Sequence, residues 1–362
     1  MGMKAALITP GISDSLRIED VPEPVTHINQ VKVRTLDVGI CGTDRAIVQG
    51  YFAVAPKGEK DLILGHEMWG RVEQVGEQVK DMAVGDYVVG IVRRPDDCVN
   101  CVHGEYDMCS KGHYQECGVR RHHGFLREFF AVQPEFLVKV SANLGQSAVL
   151  LEPLSIAQKA IKQVKRAQQR LIWQPQRALV LGAGPIGLLT ALTAQEEGWE
   201  VTVASLKEKT APPSLILTQT GIRYVQVKPP DILDKFVGEP LFDVIVNATS
   251  SAQVVLEALP ILNLNGVMTL VGLSLDNVMH SVHIDNINHF LVMGNRLILG
   301  AVSANRSHFE SGAQQMLLWE QRWPGLLSQM ITRTEPLSRI RQAIVKQPGE
   351  IKTIVHLANA GS

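Results

Sequence analysis

Side chains that could hold a catalytic metal ion stand at Cys41, His66, Glu67 and Glu152. A thiolate, an imidazole and carboxylates are all zinc ligands, and a catalytic zinc keeps one coordination position open for water or substrate. An alcohol at that position loses its proton near neutral pH, which prepares its carbon to release a hydride. The residue types therefore indicate zinc-dependent oxidation of an alcohol.

A second group of metal-binding residue types is formed by the cysteines. Four of the five cysteines lie between residues 98 and 117. Such an uneven set is unsuited to disulfides, whereas clustered thiols in a reducing compartment are typical of a metal site. Cys98, Cys101 and Cys109 are therefore predicted to bind a metal ion.

A nucleotide-binding pattern is present at Gly182-Ala183-Gly184-Pro185-Ile186-Gly187. This run follows an apolar strand and opens a predicted helix, which is the setting of a dinucleotide fingerprint. The glycines allow a tight turn and close approach of a pyrophosphate, and the helix N-terminus supplies free N–H groups. The residues predicted to bind a nicotinamide cofactor here are Gly182, Gly184, Pro185, Ile186 and Gly187.

The residues after the second strand of this unit bear on the choice of cofactor. An NAD site usually places Asp or Glu about 20 residues after the fingerprint. This chain has Ser205 and Lys207 there. A cation attracts the 2′-phosphate of NADP, which a carboxylate would repel, so we expect NADP, with NAD also possible. Asn247 and Thr249, after a later apolar strand, are assigned to the same cofactor site.

The elements that must position these groups fall into two lobes. Residues 4 to about 140 consist of short β-rich runs broken by Gly and Pro, and a helical pattern follows Glu152-Pro153 to about Gln169. Strands and helices then alternate, as a doubly wound parallel sheet requires. Its buried strands are predicted at 178–181, 200–204, 242–246, 267–271 and 297–299. From about residue 304, an amphipathic helix and a last strand at 351–355 are predicted to return to the first lobe.

The composition excludes several classes of function. The chain of 362 residues fits two cores, and 45% hydrophobic with 20% charged residues is typical of a globular α/β protein. A net charge of −1 gives no field that would attract nucleic acid or an anionic membrane. No stretch of about 18 apolar residues and no signal-peptide pattern occurs. We therefore expect a cytoplasmic protein with a small-molecule partner.

The residues around His66 resemble a known family. Gly65-His66-Glu67-Met68-Trp69-Gly70, followed by Gly76 and Val79, is similar to the G-H-E-x2-G-x5-G-x2-V signature of zinc-containing medium-chain dehydrogenases. The resemblance covers nearly the whole chain. It implies an α/β fold with a GroES-like β-rich catalytic domain, at 1–158 and 303–362, plus a Rossmann doubly wound parallel-sheet domain at 159–302.

The resemblance also implies roles at the catalytic metal. Cys41, His66 and Glu152 match the ligand positions, and Glu67 is either a direct ligand or an exchangeable carboxylate beside the zinc. Thr43 resembles the hydroxyl that begins the proton relay from the substrate oxygen. Asp44 is expected to orient the loop that carries Cys41.

The cysteine cluster is similar to the family's structural zinc knot, C-x2-C-x2-C-x7-C, but lacks its first cysteine. Pro95 or Asp96 stands at that position. Three thiolates leave a tetrahedral site incomplete. The candidates for a fourth ligand are Asp96, Asp97, Cys117 and His103; without one of them the site is empty or weak.

Within the family, the chain most resembles the glucose 1-dehydrogenases, which oxidise the anomeric hydroxyl of an aldopyranose to a lactone. The segments that carry this resemblance are 39–45, 112–116, 124–128 and 307–309. Glu116 matches that branch's carboxylate for sugar hydroxyls. Val92, Met293 and Ser303 stand near positions where the branch tends to carry Asn or His, so another aldose or a polyol stays open as substrate.

The sequence leaves other functions open and predicts an oligomer. A polyol dehydrogenase or another secondary-alcohol dehydrogenase of the same family would fit the zinc site. A non-catalytic nucleotide-binding protein could share the fold, although it would have no need of an open metal site. Members of the family are commonly dimers or tetramers, so a homodimer or homotetramer is expected, and the apolar strand at 297–299 is compatible with such an interface.

Overall fold

The computed structural model describes residues 2–275 and 278–357. The strands are β1 (Gly2–Ile8), β2 (Arg17–Pro22), β3 (Val31–Ile40), β4 (Leu62–Ile63), β5 (Glu67–Val75), β6 (Tyr87–Gly90), β7 (Arg93–Arg94), β8 (Gln115–Cys117), β9 (Arg121–His122), β10 (Phe129–Val132), β11 (Leu137–Lys139), β12 (Arg177–Leu181), β13 (Glu200–Ser205), β14 (Arg223–Gln226), β15 (Phe242–Asn247), β16 (Leu262–Leu270), β17 (Leu297–Gly300), β18 (Ile331–Pro336) and β19 (Lys352–His356).

The α-helices are α1 (Gly42–Val48), α2 (Val99–Val102), α3 (Leu151–Ala167), α4 (Pro185–Glu196), α5 (Pro212–Thr220), α6 (Ala252–Ala258), α7 (Ile284–Gly294), α8 (Arg306–Arg322) and α9 (Ile340–Ile344). Short 3₁₀ segments occur at Tyr106–Met108, Pro134–Phe136, Ala142–Leu150, Gln168–Arg170, Leu233–Phe236, Leu259–Ile261, Ser328–Met330 and Leu337–Arg339. Within the described residues, no helix is long and apolar enough to cross a bilayer.

The chain forms two compact units, one of residues 1–155 with 303–362 and the other of residues 156–302. The predicted boundary at residues 158 and 159 stays a prediction. Each unit contains a hydrophobic core of its own, with Phe125 and Phe130 in the first and Phe236 and Phe242 in the second. Each unit can therefore be described by itself.

The second unit is built on a six-stranded sheet in the order β14-β13-β12-β15-β16-β17. All of its strand pairs are parallel. The predicted doubly wound parallel sheet is confirmed, and its central strands are apolar because both of their faces are buried. Two details differ from the prediction. Strand β14 was missed because its half-exposed residues Arg-Tyr-Val-Gln form no apolar run, and β16 begins at Leu262 rather than at residue 267.

The first unit is built on a sheet with the path β11-β6-β5-β3-β19-β18, in which β10 also pairs with β3. Three-stranded sheets of order β2-β1-β4 and β7-β8-β9 accompany it. The last strand, β19, pairs antiparallel with β3. Strand β19 thus belongs to the same sheet as the strands of the first lobe. Strand β18 was missed because its alternating Ile-Thr-Arg-Thr-Glu-Pro residues are only half-buried.

Helix α3 begins earlier than predicted, so Glu152 lies inside its first turn rather than ahead of the helix. Pro153 does not prevent this, since the N–H groups of a first turn have no helical acceptor and proline lacks only that donor. The position matters for the site, because it fixes the Glu152 carboxylate on a rigid element.

Candidate active site

The catalytic ligand candidates meet where β3 and β5 run side by side. These strands are antiparallel, with Gly39 opposite Glu67, so the residues that follow β3 and precede β5 come together. Cys41 caps α1, and its Sγ lies 3.1 Å from Nε2 of His66. One ligand atom each from His66, Glu67 and Glu152 lies within 4.8 Å of the others, and the same holds for Cys41, Asp44 and His66. The structure therefore brings together all four predicted ligands.

Asp44 is fully buried and faces both the thiolate loop and the imidazole. Its Oδ2 accepts a hydrogen bond from the backbone N–H of Cys41 at 2.9 Å, and its Oδ1 lies 3.4 Å from Nδ1 of His66. With Nδ1 turned toward a carboxylate, Nε2 of His66 is turned toward Cys41, which is how metal-binding histidines are commonly oriented. Asp44 therefore contacts the backbone of the loop that carries Cys41 and faces the imidazole of His66.

The charges at the site favour a cation. Burial lowers the pKa of His66, but the negative charges of Cys41 and Asp44 outweigh it and hold that pKa well above its usual range. Burial, opposed by His66 and reinforced by the charge of Glu67, raises the pKa of Glu152 to about 7. The donors form two groups that share His66, one with the Cys41 thiol and one with the carboxylates of Glu67 and Glu152, and this set of donor types fits a zinc ion.

Glu67 has a partner that the sequence patterns did not reveal. Nζ of Lys352, on β19, donates to Oε2 of Glu67, and both side chains are buried. The carboxylate lies directly against Gly39, where a Cβ atom would overlap Oε2. Lys352 stands 285 residues from Glu67 in the chain, so only the return of β19 to β3 could have revealed the pair.

Of the candidates for a fourth ligand, Asp96 lies with the three cysteines. Single ligand atoms of Asp96, Cys98, Cys101 and Cys109 lie within 4.8 Å of one another. Oδ2 of Asp96 accepts from the Cys109 thiol at 2.9 Å, and this bond lowers the pKa of the carboxyl. Although burial opposes it, the backbone N–H of Cys101 and bonds from Ser110 lower the pKa of the Cys98 thiol to about 6. Three thiols and a carboxylate in this arrangement fit a closed zinc site.

The other three candidates for the fourth ligand lie elsewhere. Asp97 pairs with Lys111 at 2.8 Å, and His103 contacts the carbonyl oxygen of Val99 at 2.7 Å. Cys117 is buried in the hydrophobic core of the first unit. None of the three belongs to the cluster that the described residues form around Cys98, Cys101 and Cys109.

The predicted sugar carboxylate, Glu116, lies on β8. Gly118, two residues later, packs on the backbone of Gly65, which precedes His66. Oε1 of Glu116 accepts from Nε of Arg93 at 3.1 Å and from its Nη2 at 2.8 Å. Arg93 was not singled out from the sequence, because only the pairing of β7 with β8 places it opposite Glu116.

The dinucleotide fingerprint lies at the turn from β12 to α4, as predicted. Gly187 packs so closely on the carbonyl of Gly182 that a Cβ atom would overlap it, whereas a Cβ at Gly184 would meet no other atom within 4 Å. Within the described chain no side chain caps α4 at Gly184. The helix N-terminus thus presents N–H groups toward open space, which fits a pyrophosphate.

The remaining cofactor candidates lie at the carboxyl ends of β13 and β15, the two strands that flank β12 in the parallel sheet. Ser205 ends β13, and its Oγ accepts from the N–H of Lys207 at 3.4 Å. Asn247 ends β15, and its Oδ1 accepts from Oγ1 of Thr249 at 2.7 Å. The hydroxyl of Tyr224 donates to the carbonyl of Lys207 at 2.6 Å, a contact that was missed together with β14.

The two units and the clustered ligands define the class of medium-chain alcohol dehydrogenases, and comparisons with known proteins agree. The family described as alcohol dehydrogenase GroES-like domain matches residues 27–142, and the family described as glucose dehydrogenase C-terminus matches residues 145–357. The predicted GroES-like and Rossmann architecture is thereby confirmed.

Known glucose dehydrogenases are similar to this chain over nearly its full length. Glucose 1-dehydrogenase of Methanocella arvoryzae is 41% identical over 98% of this chain and 99% of the relative, and glucose 1-dehydrogenase 1 of Caldivirga maquilingensis is 36% identical with the same coverage. The structure of Haloferax mediterranei glucose dehydrogenase in complex with NADP, Zn and gluconolactone matches with a TM-score of 0.88 at 28% identity, over 99% of this chain and 100% of that chain. The chain belongs to the glucose dehydrogenase family of zinc-containing medium-chain dehydrogenases.

Proposed function

We propose that this protein oxidises the anomeric carbon of glucose or a closely related aldose to the lactone, with NADP as the hydride acceptor. The observation that carries the proposal is the grouping of Cys41 and of Glu152 with His66 in a chain that is 41% identical to a glucose 1-dehydrogenase. We assign Glu116 to the sugar hydroxyls. A carboxylate suits a polyhydroxylated substrate, because it accepts hydrogen bonds from hydroxyls and disfavours apolar alcohols.

We assign different roles at the substrate to different residues of the first unit. When bound, zinc supplies Lewis acidity at the anomeric hydroxyl, and NADP supplies the hydride acceptor. Cys41, His66 and Glu152 would hold the zinc, with Glu67 beside it. The Thr43 hydroxyl accepts the proton of the substrate hydroxyl while it gives its own proton to solvent water, and Asp44 keeps the imidazole oriented from the side of Nδ1.

The residues of the second unit would bind the cofactor. Gly182, Gly184, Pro185, Ile186 and Gly187 form the turn and helix start that hold the pyrophosphate. Ser205 and Lys207 supply a hydroxyl and a cation for the 2′-phosphate, at the end of the strand where NAD enzymes carry an acid. Asn247 and Thr249 line the same edge of the sheet.

A second, structural zinc ion is proposed at Asp96, Cys98, Cys101 and Cys109, supported by the proximity of their four ligand atoms.

We also propose a cytoplasmic location, since all five cysteines are free thiols, as is usual in a reducing compartment. Assembly as a homodimer or homotetramer through the edge strand β17 is the last part of the proposal, supported by the partly exposed apolar side chain of Ile298.

The test measures the reduction of NADP, and separately of NAD, by the change in absorbance when each sugar of a panel of aldoses and polyols is added. Zinc-loaded and chelator-treated protein are compared, with ethanol as an apolar control substrate. We expect metal-dependent NADPH formation with glucose or another aldose. Turnover of polyols alone would favour the alternative dehydrogenase, and NADP binding without any turnover would favour the non-catalytic alternative; either result overturns the proposal.

A further inference from the structure

The side chain of Arg93 is buried beside the predicted sugar carboxylate, with only 3% of its surface exposed. Its Nε and Nη2 both donate to Oε1 of Glu116, and its Nη1 donates to the carbonyl of Asp107 at 3.2 Å. The guanidinium carbon lies 3.7 Å from the centre of the Tyr114 ring. Three different neighbours therefore hold the guanidinium in one orientation.

The neighbours of Arg93 are themselves held in place. The Asp107 carboxylate accepts from Nδ2 of Asn305 at 2.8 Å, and Asn305 caps helix α8. Asp107 also precedes Met108 and Cys109, the last thiol of the cysteine cluster. The guanidinium is thus fixed to two rigid parts of the first unit rather than to a surface loop.

The way in which Glu116 is held leaves one of its oxygens available. Both N–H groups of Arg93 converge on Oε1, and no contact found among the described residues involves Oε2. A carboxylate held by one oxygen keeps the lone pairs of the other for a ligand. The Glu116 side chain is 15% exposed, so it is not sealed in the core.

We propose that Arg93 is a positioning residue for sugar recognition: it fixes Glu116 so that Oε2 faces the substrate hydroxyls and thereby sets which sugars bind. The inference rests on the proposed function. A planar guanidinium is required, since a lysine ammonium cannot donate to Oε1 and to the Asp107 carbonyl while stacking on Tyr114. Arg93 acts through Glu116 and does not itself contact the sugar.

The first experiment compares Arg93→Lys with the wild-type enzyme in steady-state kinetics. We expect the KM for the preferred aldose to rise by about tenfold, with kcat and the KM for NADP changed less than about twofold, because only the sugar hydroxyl contacts are disturbed. The matched control is Arg94→Lys: Arg94 is the adjacent buried arginine, and it contacts the carbonyl of Ile91 and the ring of Phe136 rather than a carboxylate.

A second measurement tests whether Arg93 acts by positioning Glu116 or only by stabilising the fold. Glucose and a set of monodeoxy-glucoses are compared on the wild type, Arg93→Lys, Glu116→Gln and the double variant. If Arg93 acts through Glu116, the double variant has the same KM as Glu116→Gln alone, and the penalty for the missing hydroxyl is smaller in both single variants than in the wild type.

The outcomes distinguish this inference from the function on which it rests. A wild-type enzyme that oxidises no aldose overturns both. An active wild type with an unchanged KM in Arg93→Lys overturns the role of Arg93 alone, as does an Arg94→Lys variant with an equal rise in KM. Additive effects in the double variant would show that Arg93 does not act through Glu116, and would also overturn the inference.

Discussion

Individual residues at the catalytic cluster have partners on more than one side, and this is what separates them from ordinary buried polar groups. His66 faces Cys41 with Nε2 and Asp44 with Nδ1, and Asp44 in turn accepts from the backbone of Cys41. A buried histidine with a purely structural role would need one hydrogen-bond acceptor for its N–H group. The second nitrogen, turned toward a thiol, is the feature that a metal ion explains.

The choice of cofactor can be tested at one residue. Lys207 is half-buried at the end of β13, with its carbonyl held by Tyr224. Lys207→Asp should weaken NADP binding by roughly 10- to 100-fold, because a charge-assisted contact to the 2′-phosphate is replaced by repulsion. Binding of NAD should be unchanged or improved. Fluorescence titration with NADPH and NADH measures both.

Lys235→Asp is the matched control for that titration. Lys235 is an exposed lysine of the same unit, so the control makes the same change in net charge. Equal losses of NADPH affinity in the two variants would mean that long-range charge, and not Lys207, decides the cofactor preference.

The sequence revealed residues that lie within short motifs and missed residues whose role depends on pairing between distant elements. Cys41, His66, Glu67 and the Gly182–Gly187 turn could be predicted because local spacing carries their chemistry. Lys352 and Arg93 could not, since their partners are set by the β19–β3 and β7–β8 pairings. The central strands of the parallel sheet were predicted from apolar runs, whereas its edge strand β14 has no such run.

At the scale of elements, β19 places a buried cation against the catalytic cluster. Removing Lys352 leaves the Glu67 carboxylate buried without its ammonium partner. Lys352→Met should therefore lower the free energy of unfolding by about 3 kcal/mol in metal-free protein. Denaturant unfolding of chelator-treated protein measures it. The double variant Lys352→Met, Glu67→Gln should recover much of the loss, and no recovery would mean that Lys352 acts through packing alone.

The segment of α2 and the following 3₁₀ turn makes a separate prediction about metal content. If Asp96 and the three thiols hold a structural zinc, Cys101→Ser should remove about one zinc ion per chain and lower the melting temperature, while metal-dependent turnover persists. Elemental analysis and calorimetry provide the two readouts. Asp97→Ala is the control, since the Asp97 carboxylate pairs with Lys111 near the surface and is not part of the cysteine cluster among the described residues. An unchanged zinc content in Cys101→Ser would contradict the structural site.

At the scale of the whole molecule, the open edge of the six-stranded sheet is the feature that bears on assembly. Among the residues that the structure describes, strand β17 pairs with β16 on one side only, and its Ile298 is 37% exposed. An unpaired edge of this kind invites pairing with a second copy unless charge prevents it. We expect the wild-type protein to sediment as a dimer or tetramer and Ile298→Lys to shift it toward a smaller species. Leu318→Lys, which places the same charge at an exposed leucine on α8, should leave the assembly intact. A monomeric wild type, or dissociation of both variants, would rule out β17 as the interface.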